Sequence, residues 1–300
     1  MADINMENRN KYALITGATS GFGYEFSKLF ARDGYNLVLV ARSKERLDEV
    51  TVEIKNKFGV EVTPFECDLF EKDCAKKVYD KVTEMGININ ALVNDAGQGE
   101  WGRFVDIDLQ RMLDIIQLNI SSLVSLTWYF LKDMVTRNEG RILQVASEAG
   151  KTPMPLLSVY AATKAFLLSF TASLANELKD TDVVVTALLP GASDTDFFHK
   201  AHAEDTVAYK EQELQDPADV AKDGYEALMR GEDRVISGGK TKMHVFRSNM
   251  MSDAAAASGS RKLMEPSQSN DPKRTSPEHD ASRKEREHIE SSAGSGSNDL

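Results

Sequence analysis

Positions 160 and 164, in the stretch SVYAATKAF, have residue types and spacing that can do acid–base chemistry. Tyr160 and Lys164 are a little over one helical turn apart, so on a helix they share a face. A cation beside a phenol favours the phenolate and lowers its pKa from about 10 toward neutrality. Taken alone, the pair fits a general acid/base, and fits equally a half-exposed tyrosine beside a solvated lysine. Ser147 and Asn119 add a hydroxyl and an amide. Ser147 follows the apolar run RILQVA, and Asn119 lies in the helical stretch MLDIIQLNISSLVSL. By themselves these read as a turn starter and a tolerated polar residue on a helix face. The elements that carry them decide whether they converge.

Short apolar runs occur at 12–16, 36–41, 60–65, 90–94, 141–146, 183–189 and 234–237, with amphipathic helical patterns between them. Several of those patterns end in glycine, a common helix terminator. Continuous apolar strands alternating with helices indicate a doubly wound α/β fold, a parallel sheet covered on both faces in one domain. Right-handed crossovers then put every strand's C-terminal end on one edge, where the chemistry collects.

The first of those ends carries TGATSGFG, with Gly17, Thr19, Ser20, Gly21, Phe22 and Gly23 before a helix. Glycines there let the backbone turn tightly and approach a pyrophosphate, which the helix N-terminus attracts. The second strand ends VLVARSKE, so Ala41 stands where a ribose-binding acid usually stands, and Arg42 follows. A carboxylate would repel a 2′-phosphate, whereas arginine can clasp one. The turn therefore predicts a dinucleotide site that prefers NADP(H), with NAD(H) possible. Further strand ends carry Asp68 and Leu69, then NDAG (Asn94 to Gly97), and LPGASDT with Pro190, Gly191 and Thr195.

Taken together, over roughly residues 10–240, these motifs resemble the short-chain dehydrogenase/reductase family: TGxxxGxG, NxAG, Asn, Ser, YxxxK and PGxxxT in order. The resemblance implies an enzyme interconverting a small-molecule carbonyl compound and an alcohol by hydride transfer. Tyr160 would be the proton donor and acceptor, and Lys164 would depress its pKa and bind the nicotinamide ribose. Ser147 would polarise the substrate carbonyl, and Asn119 would order a water linking Lys164 to solvent. Asp68 and Leu69 would flank the adenine, while Asn94, Ala96 and Gly97 would line the cofactor wall. Pro190, Gly191 and Thr195 would meet the nicotinamide end. Relatives commonly pair as homodimers or homotetramers, for which Ile115, Ile116, Leu123, Phe166 and Phe170 would serve. Two departures stand out: Asp95 replaces the family's usual second Asn, with little loss expected, and Glu148 adds a charge beside Ser147. A competing reading is a non-catalytic NADP-binding sensor or scaffold on the same fold, against which the intact Asn, Ser, Tyr and Lys set counts. Epimerisation or dehydration is a third, but such relatives usually carry a larger C-terminal domain.

For the substrate, Trp101, residues 154–157 beginning with Met154, and the segment after Gly191 with Phe197 and Phe198 are the expected pocket rim, large and apolar, favouring a hydrophobic or aromatic carbonyl compound. No metal is required. His199 and His202, in HKAH, could hold one on a helix, but a solvated loop is the preferred reading.

Composition sets the remaining bounds. The 300 residues are 41% hydrophobic and 28% charged, ordinary for a globular protein. A net charge of −11 argues against nucleic acid as a partner. No run of 18 apolar residues exists, so no membrane span is expected. The start, MADINMENRN, is unlike a signal peptide, which makes a cytoplasmic location the expectation. Cys67 and Cys74 belong to no CxxC or Cys/His cluster and read as buried thiols. Residues 1–10 read as a flexible N-terminus, 11–250 as the domain, and 251–300 as a polar tail too poor in large apolar residues to order, in which ASRKEREHIE forms a transient helix at best.

Overall fold

The computed structural model describes residues 8–268. Strand β1 (Tyr12–Thr16) leads through the glycine turn into α1 (Gly21–Arg32), then β2 (Asn36–Ala41) and α2 (Lys44–Phe58). Helix α2 begins where the Ser43 hydroxyl accepts the Arg46 N–H and stops at Gly59, whose φ of 70° is left-handed. Strand β3 (Val62–Glu66), α3 (Cys74–Glu84) and β4 (Ile89–Asn94) complete the first half.

In the second half, α4 (Leu109–Ile116) widens into a π-helical turn over Gln117–Ser122 and continues as α5 (Leu123–Arg137). Next come β5 (Gly140–Val145), α6 (Ser158–Glu177) and β6 (Val183–Leu189). Short helices α7 (Phe197–Lys200) and α8 (Val207–Lys210) follow, then α9 (Pro217–Arg230) and β7 (Arg234–Ile236). Two helices close the described chain, α10 (Gly239–Asn249) and α11 (Asp253–Met264).

The seven strands form one parallel sheet in the order β3-β2-β1-β4-β5-β6-β7. The order reverses between β1 and β4, which opens a crevice at their C-terminal ends. Alternation along the strands feeds two cores. Ala13, Ile15, Leu37 and Leu39 pack one face with Phe26, Phe30 and Leu228. Leu14, Val38, Leu92 and Ile142 pack the other with Val78, Phe130 and Met134. No helix among the described residues is long and apolar enough to cross a membrane.

Three expectations are corrected here. Residues 8–10 are tied down rather than flexible, since the Asn8 side chain donates to Asp33 O (3.0 Å) and Asn36 to Arg9 O (3.0 Å). Cys67 and Cys74 are joined by a disulfide, Cα–Cα 6.0 Å, because the two tight turns after β3 fold residue 74 back beside 67. The domain also runs past residue 250. Ser252 caps α11, whose Ala256, Ser260 and Met264 are buried. Trp101 Nε1 donates to Met264 O at 2.7 Å, and Val207 N donates to Glu265 O at 3.0 Å. A helix of small residues thus docks through a few contacts supplied from far along the chain. The expectation for 269–300, with its ASRKEREHIE piece, and that for 1–7 lie outside the described residues.

Burying one methionine contributes about 1.5–3 kcal/mol, and in a domain this size each kcal/mol moves Tm by about 2–4 °C. A chain ending after Met251 should therefore melt at least about 3 °C below one ending after Gln268, read by calorimetry. Equal melting temperatures would mean that α11 adds nothing to the fold.

Candidate active site

A cleft of about 1400 Å³ runs along the sheet's C-terminal edge from Arg42 past the glycine turn to Met264. At the turn, Gly17 and Gly21 hold φ of 68° and 53°, a region L side chains rarely adopt. A Cβ on Gly23 would lie 2.4 Å from Gly17 O, so the turn closes too tightly for any side chain there. Ser20 precedes α1 without capping it through its side chain, which leaves the N–H groups of Gly21 and Phe22 for an anion while that of Gly23 serves Asp95. This cradle fits a dinucleotide diphosphate. Gly17, Thr19, Ser20, Gly21 and Phe22 line the cleft, while Gly23 sits beneath.

At one end of the cleft, Arg42 leaves β2 with its guanidinium 5.2 Å from the centre of the Phe70 ring. Asp68 Oδ1 accepts the Phe70 N–H at 3.0 Å, which fixes the loop carrying Asp68 and Leu69. Arg46, one turn into α2, lines the same end. Sequence reasoning missed Arg46 and Phe70, although Arg46 stands four residues beyond Arg42 at a predicted helix start.

At the other end, α6 carries Tyr160 and Lys164. The Lys164 side chain is buried, its Nζ donating to Val145 O at 2.7 Å and lying 5.6 Å from the Tyr160 ring centre. Burial pulls the ammonium down to about 8, with Asp95 opposing that shift. The phenol does not move toward neutrality. Desolvation holds Tyr160 well above the ordinary tyrosine range, with Asp95 and Glu148 adding to the shift and a hydrogen bond with Ser147 opposing it. The pair was expected to favour phenolate; burial, with Asp95 and Glu148, moves the phenol the other way.

Ser147 follows β5, and its Oγ accepts the Ala149 N–H at 3.1 Å as a short 3₁₀ turn begins. That turn packs hard on α6, since a Cβ on Gly150 would lie 2.7 Å from Lys164 backbone atoms. Ser147, Tyr160 and Lys164 accordingly share one wall of the cleft. Asn119 sits in the π-helical turn and is buried. Its Oδ1 accepts Gln98 N at 3.0 Å, and its Nδ2 donates to Gln98 O at 2.9 Å and Thr163 Oγ1 at 3.0 Å. Its amide thus clamps the loop after β4 to α6.

That loop carries the NDAG residues, of which Asp95, Ala96 and Gly97 line the cleft. Asn94 does not. Its side chain turns inward and donates to Thr127 Oγ1 at 3.1 Å and Gln144 Oε1 at 3.0 Å, bracing β4 against β5 and α5. Thr16 Oγ1, unremarked in the sequence, accepts the N–H groups of Asp95 and Ala96 at 3.0 Å each and so docks the loop onto β1. Asp95 Oδ2 fills the space beneath the glycine turn, 2.9 Å from where a Cβ on Gly23 would sit. Its carboxyl is raised to about 7, chiefly by desolvation, against the pull of Lys164, the Gly23 N–H and Lys200.

On the substrate side, Met154 and Phe197 line the cleft, joined by Leu157, Phe198, Leu263 and Met264. Phe197 stands 4.7 Å from the Tyr160 ring, centre to centre. Trp101 is not part of this lining. It lies behind, held by Met264 O, and supports α11. Pro190, Gly191 and Thr195 line the cleft, Thr195 beside Gly21 of the glycine turn. Gln215, missed in the sequence, organises them: its Oε1 accepts Gly191 N at 3.0 Å and its Nε2 donates to Ser237 O at 2.9 Å. Glu148 is paired with His244 on α10, Oε2 to Nδ1 at 2.8 Å, an interaction that raises the histidine. His199 and His202 diverge, to Tyr209 and Glu100, and no group of three metal-ligating side chains forms among the described residues.

With this geometry in view, the comparisons agree. The family profile described as short chain dehydrogenase matches residues 11–206. The chain belongs to the short-chain dehydrogenase family. It is 37% identical over 186 residues to the very-long-chain 3-oxoacyl-CoA reductase of Homo sapiens, covering 60% of this chain and 58% of that protein. The matched stretch is thus less than two thirds of that relative's length. An uncharacterized oxidoreductase of Bacillus subtilis, YvrD, is 35% identical over 193 residues, 64% of this chain and 72% of its own. Among solved structures, a short-chain dehydrogenase from Sphingobium yanoikuyae in complex with NADPH superposes with TM-score 0.72 at 30% identity, over 81% of this chain and 96% of that one.

Asp95 makes a pH prediction. Its folded pKa of about 7 lies above the unfolded value of about 3.9, so the fold prefers the protonated carboxyl. Its contribution is full below pH 4 and is lost as pH rises through 7. Asp95→Asn, which cannot ionise, should gain stability relative to the parent between pH 5 and 7.5 in thermal melts. A Tm difference that is flat with pH would overturn this assignment.

Proposed function

We propose that this chain is an NADP(H)-dependent oxidoreductase interconverting a carbonyl compound and an alcohol. The observation that carries the reading is the meeting of Ser147, Tyr160 and Lys164 on one wall of the cleft that the glycine turn and Arg42 also line. NADPH, when bound, supplies the hydride. The neutral Tyr160 phenol gives its proton to the carbonyl oxygen as the alcohol forms, and takes one back in the reverse direction. The Ser147 hydroxyl donates to the same oxygen and polarises it. Lys164, a cation held under the site, favours the phenolate left after transfer and offers donors to the nicotinamide ribose.

Arg42 and Arg46 support a 2′-phosphate on the cofactor, as does the NADPH named with the Sphingobium structure. The wall of Met154, Leu157, Phe197 and Phe198 favours a large apolar ketone, a class that includes the 3-oxoacyl group in the human relative's name. A homodimer or homotetramer is part of the same proposal. Ile115 and Leu123 are buried, but Leu109, Leu113 and Ile116 form an exposed stripe on α4, and Phe166, stacked on Phe170, is exposed on α6. Light scattering at micromolar concentration should give a multiple of the chain mass; a monomeric mass would refute it.

Kinetics with a panel of hydrophobic ketones tests the chemistry. Tyr160→Phe should cut kcat at least about a hundredfold, the scale of general-acid catalysis, while NADPH still binds. A variant keeping a tenth of parental activity would remove Tyr160 from its role, and would favour a sensor if the parent is equally idle. In the same assays the parent should prefer NADPH over NADH. One charge-assisted contact contributes about 1.5–3 kcal/mol, and Arg42's exposure puts the expected preference at the low end, roughly tenfold. Ala41→Asp with Arg42→Ala should move it toward NADH.

A further inference from the structure

Helix α7 carries a lysine that the site as described leaves unused. Lys200 Nζ lies 3.5 Å from Ser20 Oγ, so it reaches across the cleft to the glycine turn. Thr195, at the start of the same segment, touches that turn too: a Cβ on Gly21 would lie 3.2 Å from Thr195 Cγ2. The backbone around Lys200 is held from behind. Arg111 donates to Lys200 O at 3.4 Å and Trp101 N donates to Ala201 O at 2.8 Å. The segment from 195 to 200 therefore bridges the middle of the cleft from the substrate side.

The charges there show what the bridge is for. Beneath the glycine turn lies the Asp95 carboxyl, within about one atomic contact of Gly17 and Gly23. A diphosphate on the turn's N–H groups would meet that carboxyl from below and needs cations to offset both. Among the described residues lining the cleft, Arg42 and Arg46 stand at its far end, and Lys164, which donates to Val145 O at 2.7 Å, is the first cation acting on Asp95 from below. Lys200, 39% exposed and placed over the turn, is the lysine in position. Its other contact, Asp196 at 3.4 Å one turn back on α7, is an ion pair of a kind that contributes little by itself.

We propose that Lys200 is a cofactor-binding residue that closes over the dinucleotide diphosphate from the substrate side, so that cofactor binding fixes α7. The inference rests on the dinucleotide reading above. Phe197 and Phe198, the apolar wall beside Tyr160, ride on α7 with Lys200, which ties that wall to the same contact.

The test is direct NADPH binding, by fluorescence or calorimetry, at several salt concentrations, with amide hydrogen exchange of residues 195–206. Lys200→Gln should raise Kd about tenfold, the size of one lost charge-assisted contact, and should flatten its salt dependence. Lys200→Arg should return Kd to within about threefold of the parent. NADPH should protect the 195–206 amides in the parent and protect them less in Lys200→Gln. Asp196→Asn, which breaks the helical ion pair with Lys200, should bind NADPH at least as well as the parent. If Lys200→Gln binds within twofold of the parent, or Asp196→Asn weakens binding equally, the lysine is a surface partner of Asp196 and the proposal fails. If the parent binds neither NADPH nor NADH, the dinucleotide reading fails first and takes this inference with it.

Discussion

All seven strands run the same way, so their carboxyl ends share one edge, and the loops and helices that carry the functional side chains gather there. This polarity follows from right-handed crossovers, each burying a helix against the sheet. It makes residues distant in sequence into neighbours. The turn at 17–23, the loop at 94–98, Ser147 and the start of the segment after β6 meet because each follows a strand. The reversal of strand order between β1 and β4 supplies the opening into which they face.

Within that opening the chain manages three titratable groups in a dry place. Lys164 is buried and satisfied by Val145 O. Asp95 sits close enough to favour its charge, and desolvation moves the two groups toward each other, to about 8 and about 7. Tyr160 is pushed up, first by burial and then by the Asp95 and Glu148 carboxyls. A cation that favours a phenolate does not ensure one when both are taken out of water. The residue replaced in the NxAG motif is therefore electrically consequential even though its backbone role, docked by Thr16, is untouched.

The substrate side is built differently, from contacts between segments far apart in the chain. Gln215 ties Gly191 to Ser237, Glu148 pairs with His244, and Trp101 holds the end of α11. These pairings join the loop after β6 to the two C-terminal helices and give the apolar wall its shape. Leu156 takes φ of 66° at its margin, an uncommon conformation for a branched side chain and one that surrounding structure must enforce.

Local patterns were enough to read the strands at 12–16, 36–41 and 183–189, whose limits the structure reproduces, because a buried strand announces itself by a continuous apolar run. The glycine turn, Ser147, Tyr160 and Lys164 were equally legible, since their spacing is tied to strand ends and a single helix face. Tertiary structure alone decided the direction of Asn94, which points into the sheet to meet Thr127 and Gln144, and the place of Trp101 behind the cleft. It also decided that α11 orders, through Met264 and a tryptophan more than 150 residues earlier in the chain. Arg46, Gln215 and Lys200 became visible the same way. Periodicity records which face of an element is apolar. It does not record which distant element supplies the missing partner, and that partner sets a side chain's direction, its solvation and so its charge.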